Sequence, residues 1–240
     1  MAGHNKWSKV KRLKAVTDAK KSALYGKYIK EITVAAKLGG ADPDGNARLR
    51  KAISDAKAQS VPKDNIERAL KKAAGESSEA QLEELTYEGY GPQGVAVLVE
   101  CVTDKRTRTQ PELRKIFEKN GGSIAEAGAV AWGFERKGLI LVQTDEVTEE
   151  KLTEFAVESG AEDIQVASEG YEIITAPTEF LRVYAAFEKE GVKMELAELS
   201  FIPLNKVPVA ADQLEGLQKL IESLEDHEAV QRVTTNADFG

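Results

Sequence analysis

The chain has 240 residues, 42% of them hydrophobic, a formal charge of −7, two histidines and one cysteine. This length calls for two or three domains, and the ordinary hydrophobic content calls for a folded globular protein. No apolar run approaches the roughly 18 residues of a membrane span, no apolar stretch marks a secretory signal, and the single Cys101 excludes an intramolecular disulfide and fits a reducing cytoplasm.

The charge is unevenly spread. Residues 1–80 carry a balance of +9 and residues 81–240 a balance of −16. One end attracts polyanions while the remainder repels them. The chain opens with "MAGHNKWSKVKRLKAVTDAKK", in which Lys6, Lys9, Lys11, Arg12 and Lys14 precede the first acid, Asp18, with Trp7 among them. Trp7, Val10, Leu13 and Val16 drift across about half a helix circumference, so this arm buries little by itself and is expected to stay mobile until it meets a partner. A mitochondrial transit peptide is the alternative for a basic, acid-free N-terminus, but Lys outnumbers Arg here and Ser is scarce.

Leu24, Tyr28, Ile32 and Ala35 form one stripe and predict a helix over 18–38, stopped by Gly39-Gly40. Asn46 is a candidate N-cap for a second helix carrying Leu49, Ile53 and Ala56. Pro62 suits the first turn of a third, with Ile66, Ala69, Leu70 and Ala73 on its inner face. Residues 1–80 therefore read as a basic arm plus a three-helix bundle, ending in a linker over 76–81.

From residue 82 the pattern changes. "GVAVLVECV" is a buried strand, and "TQPELRKIFEKNGG" is a helix with a capping box from Thr109 to Glu112. "AVAWGFER" and "GLILVQT" read as two strands, followed by a helix over 148–159, strands "IQVAS" and "YEIITA", a helix over 178–190 and the strand "MELAELSFI". This βαββαβ order is ferredoxin-like. The tail adds a helix over 211–225 and the strand "AVQRVTTN", with "NKVPVA" as a short strand. The fold class is α+β. A discontinuous domain, 82–136 with 204–240, is expected to hold an inserted ferredoxin-like domain at 137–203.

"GYGPQG" spells G-x-G-x-x-G at Gly89, Gly91 and Gly94, but Pro92 lies inside it and a strand follows, so it reads as a tight turn and not a dinucleotide loop. His4 and His227 are far apart, and Cys101 lies in an apolar strand, so no catalytic, metal or cofactor site is expected. Trp132 reads as core or sheet surface. In "TDKRTRT", Lys105, Arg106 and Arg108 crowd the start of a helix, where guanidinium groups and backbone N–H groups both suit phosphate. The arm lysines neutralise phosphates, Trp7 stacks on an unpaired base, and Lys20, Lys21, Lys27 and Lys30 extend the positive surface.

"MAGHNKW", "DAKK", "EITVAAKLGGADP", "PKDNIERALKK", "YEGYGPQGVAVLVE", "KNGG" and the C-terminal "NAD" resemble the YebC family nearly end to end. The resemblance implies a helical N-terminal domain, two α+β domains and a cytoplasmic, non-enzymatic protein acting in gene expression. Bacterial members are described as transcriptional regulators, and mitochondrial relatives as translational activators of cytochrome oxidase. Asn5, Ala23, Lys105 and Thr107 depart from the family pattern. Two functions follow. One is a DNA-binding transcriptional regulator, with the second and third helices as a helix-turn-helix offering Asn65 and Arg68 to bases. The other is a translation factor bound to ribosomal or messenger RNA, or to the ribosome itself. A third class, an acidic scaffold for basic proteins, would not need the arm.

Overall fold

The structure is a computed structural model that describes residues 6, 7, 10, 11, 18–75, 82–144, 148–167 and 169–239. The linker expected over 76–81 lies outside the described residues. The fold is α+β, with helices first and strand-containing regions after them.

The helices α1 (Asp18–Gly39), α2 (Ala47–Ala58) and α3 (Lys63–Ala74) pack around Ile32, Ala35, Leu49, Ala56 and Ile66. Asn46 is the expected N-cap and does more. Its Oδ1 accepts from the Leu49 N–H at 3.0 Å, and its Nδ2 donates to the Ala35 and Gly40 carbonyls at 2.8 Å each. One amide therefore closes α1 and opens α2.

Sequence reading misses the strand β1 (Glu83–Tyr90), which pairs antiparallel with β2 (Ala96–Thr103). The tight turn expected at "GYGPQG" joins them, with Gln93 and Gly94 left-handed at φ 59° and 74°. Helix α4 (Arg106–Lys119) starts earlier than the expected capping box. Thr109 lies inside its first turn, buried, with Oγ1 2.9 Å from the Thr103 Oγ1, so it caps nothing. The short strand β3 (Ser123–Ile124) adds to β1.

Strand β4 (Phe134–Gln143) is continuous where the sequence reads two strands. Gly138 is a point of close approach rather than a break, because a Cβ there would lie 2.6 Å from the Phe180 ring. After β4 come α5 (Glu149–Ser159), β5 (Asp163–Ala167), β6 (Gly170–Thr175), α6 (Phe180–Lys189) and β7 (Met194–Pro203). The sheet order is β5-β6-β4-β7 with every pairing antiparallel, the ferredoxin-like layout expected from the βαββαβ order. One face of this sheet packs on α5 and α6 through Ile140, Val142, Ile173, Leu152 and Phe187.

Residues from "NKVPVA" form β8 (Val207–Pro208), which pairs in parallel with β10 (Ala237–Asp238) and not with the β1–β2 sheet. Helix α7 (Ala211–Glu225) and β9 (Val230–Thr235) complete the other sheet, of order β3-β1-β2-β9. Its core joins Val97, Val99 and Cys101 to Phe117, Leu220 and Leu224. In both sheets a strand, a helix and a second strand straddle a third strand, β1 in one and β6 in the other. The spatial order is the same, but in the first sheet the straddled strand comes first in the chain.

Two compact units result. One holds Trp132–Ala210, residues 234–239 and the described residues of the arm. The other holds residues 18–131 and Ala211–Val233.

Candidate nucleic-acid interface

Within the second unit, α1 and the start of α4 converge on the turn after α7. Lys27 donates its Nζ to the Glu225 carbonyl, and Lys30 donates to the Glu228 carbonyl at 2.8 Å. Arg108 pairs with the Glu228 carboxylate and lies 3.8 Å from Glu112 Oε1. Two basic segments that are separate in sequence thus meet at one acidic turn. Desolvation lowers the Lys30 pKa, and the Arg108 charge adds to the shift, against the attraction of Glu228 and Asp104. Lys105 and Arg106 stand exposed at the N-terminal end of α4, and Lys21 is exposed on α1. Lys20 belongs to α1 as well.

His227 fixes the same turn. Its Nδ1 accepts from the Ala229 N–H at 3.1 Å, so Nε2 carries the proton and donates to Glu112 Oε2 at 3.1 Å. Sequence reasoning finds each basic segment but misses this turn. Its role runs largely through backbone carbonyls, which no residue pattern announces.

The arm differs from expectation. Trp7, read as a free stacking residue, is only 3% exposed and packs with Val10 on Leu139, Leu141, Leu196 and Ala167. This is the face of the ferredoxin-like sheet opposite α5 and α6, and an apolar face left bare would cost more than ordering a short segment over it. Gly170 makes the space, since a Cβ there would lie 2.5 Å from the indole Cζ2. Lys6 reaches Glu172 Oε2 at 3.4 Å, and Lys11 pairs with Glu169. Desolvation lowers the Lys6 pKa although Glu172 opposes the shift. Lys9, Arg12 and Lys14 lie outside the described residues. Trp132 shows the opposite contrast. It sits in the turn before β4 and is 76% exposed.

Glu88 is buried on β1 and accepts the N–H groups of Gly128, Val130 and Ala131 at 2.6, 2.7 and 2.8 Å. Burial alone would raise its pKa, but these donors outweigh it and hold the carboxyl below its ordinary value. The Cys101 thiol is buried and pushed up to about 12, chiefly by desolvation, so it is not a ready nucleophile. Among the described residues, no three His, Cys, Asp or Glu side chains gather as metal ligands, and no helix is long and apolar enough to cross a membrane. On α3, Arg68 donates to Asn65 Oδ1 at 3.1 Å, so the two candidate base-reading side chains bind each other.

Residues 5–76 match the domain described as the TACO1/YebC protein N-terminal domain, and residues 82–237 match the TACO1/YebC second and third domain. The chain belongs to the TACO1/YebC family. A relative in Geobacter sulfurreducens, named as a probable transcriptional regulatory protein, is 51% identical over 239 residues, covering 100% of this chain and 96% of its own. One in Dictyoglomus thermophilum, named in the same way, is 48% identical over 240 residues with the same coverage. The crystal structure of a conserved hypothetical protein of Aquifex aeolicus superposes with a TM-score of 0.85 at 45% identity, over 93% of each chain.

Proposed function

We propose that this TACO1/YebC protein is a non-enzymatic, cytoplasmic regulator of gene expression that binds nucleic acid without a cofactor. The observation that carries this reading is the convergence of Lys27, Lys30 and Arg108 on the Glu225–Glu228 turn, beside the exposed Lys105 and Arg106. A phosphate oxygen satisfies a guanidinium as a carboxylate does, so the backbone of a nucleic acid can displace Glu228 from Arg108. The names of the bacterial relatives support a part in transcription, with DNA as the partner. A second reading, a factor acting on ribosomal or messenger RNA or on the ribosome, is favoured by α3. Its Asn65 and Arg68 are engaged with each other, and Asp64 and Glu67 on the same helix repel phosphate, which makes a poor major-groove reader.

The test is a pair of salt titrations, on duplex DNA and on ribosomal RNA fragments. Replacing Lys105 and Arg106 with Ala should lower the slope of log K against log salt by up to ~2, since each phosphate contact contributes about 0.7–0.9. The melting transition should not move. Deleting residues 2–15 should weaken binding to either polymer about tenfold or more, because the arm's cations are lost. Unchanged slopes and affinities would remove the nucleic-acid assignment. Tighter and more salt-dependent binding to RNA than to duplex DNA selects the second reading, and the reverse order selects the first.

A further inference from the structure

The free face of the ferredoxin-like sheet is aliphatic and acidic. Leu139 and Leu141 on β4 are buried, Leu196 on β7 packs beside them, and Glu172 on β6 is 1% exposed in the register position opposite Leu141. Such a face lacks the aromatic platform on which a sheet stacks nucleobases. What it does fit is an aromatic ring flanked by cations, and that is what lies on it: Trp7 over Gly170, Lys6 at Glu172 and Lys11 at Glu169.

The seat is incompletely satisfied. Among the described residues, the buried indole Nε1–H has no acceptor and the buried Glu172 Oε1 has no donor. Each imperfection offsets part of what burial of the ring gains. Lys6 is also withdrawn from water, which disfavours its charged form. The contact is well shaped yet weakly held, and its ionic half can be exchanged. A phosphate presents the same anionic oxygens to Lys6 and Lys11 as Glu172 and Glu169 do.

We infer that the arm is a self-docked cover, and that polyanion binding and arm docking on the β5-β6-β4-β7 sheet compete for the same lysines. Docked, Lys6 and Lys11 are matched by internal carboxylates and Trp7 is hidden. Released, the arm presents both cations and the indole to an unpaired base. The inference rests on the nucleic-acid reading above.

The experiment uses the full chain with Trp132→Phe, which leaves Trp7 as the single indole. Acrylamide quenching of Trp7 fluorescence is measured alone and with saturating oligouridylate, and the oligouridylate affinity is measured alongside. Trp7 should be shielded in the free protein, and oligouridylate should raise its quenching several-fold. Glu172→Gln should raise quenching several-fold without any ligand and tighten oligouridylate binding several-fold. Glu169→Gln, on a more exposed partner, should move both readouts the same way by less, and it serves if Glu172→Gln does not fold. A Trp7 that is freely quenched in the free protein overturns docking. A Trp7 that stays shielded at saturating oligouridylate overturns the competition. If neither oligouridylate nor duplex DNA binds either form while Glu172→Gln still unmasks Trp7, the nucleic-acid reading fails and takes the competition with it, and the seat itself is left standing.

Discussion

Glu88 and Glu172 lie on the straddled strands, β1 and β6, of two sheets with one spatial order, and both are buried. Their partners differ in kind. Glu88 accepts three backbone N–H groups of the 128–131 loop, which cannot leave without unmaking the loop. Glu172 pairs with Lys6 of the arm and, among the described residues, has an oxygen without a donor. A buried carboxylate held by the backbone is a fixed part of the fold. One held by a remote side chain marks a place where something can come and go.

The largest expected effect is at Glu88. Glu88→Ala leaves three inward N–H groups without an acceptor, and at about 1–3 kcal/mol for each orphaned group, partly recovered by water, a loss of about 3–5 kcal/mol follows. Urea denaturation reads it directly, and a midpoint that barely moves would break the contrast between the two glutamates. The sign with pH is set by the lowered Glu88 pKa. Its stabilisation is present above the unfolded carboxyl value of about 4.3 and is lost as pH falls through the lower folded value. Glu88→Gln should therefore flatten the acid limb of the stability profile.

Cys101 reports the same difference kinetically. It lies opposite Leu85 in the β1–β2 ladder and is buried, so a thiol reagent at neutral pH reacts only when that sheet opens. Glu88→Gln should speed labelling in proportion to the stability lost, and Glu172→Gln should not change it. Equal acceleration by both would mean that the two sheets open together.

Smaller effects belong to the arm. Trp7→Ala should cost about 1–2 kcal/mol, well short of the about 3–5 expected for a core aromatic. The loss is capped by the free energy of docking, so deletion of residues 2–15 should give the same melting temperature as Trp7→Ala. Smallest is Glu172→Gln, under about 1 kcal/mol in global stability, because the lysine it abandons returns to water rather than staying buried and unpaired.

How much of this was legible follows from which side chains do the burying. The helical bundle and the ferredoxin-like order were readable because apolar side chains mark their inner faces, as Ile32, Leu49 and Ile66 do. Strand β1 was not, because its fully buried residues are Glu88 and Gly89, which carry no hydrophobic period. Gly138 split β4 in the sequence reading for a related reason, since it makes room for Phe180 and so resembles a turn. Trp7 stands out in the sequence as an indole in a basic arm, but its surroundings do not, because its burial depends on a sheet formed more than a hundred residues later. At the cationic site both segments were visible, but the turn that joins them was not.

The rotated strand order also sets a timetable for a chain made from its N-terminus. The β5-β6-β4-β7 sheet is complete once residue 203 has emerged, and it can fold as a unit during synthesis. The β3-β1-β2-β9 sheet must wait for Val230–Thr235, with three strands already made and the β2 edge left open in the meantime. Lys27 and Lys30, among the earliest residues made, find Glu225 and Glu228 only when synthesis is nearly over. The contact between α1 and the α7–β9 turn is therefore assembled last, from residues translated first.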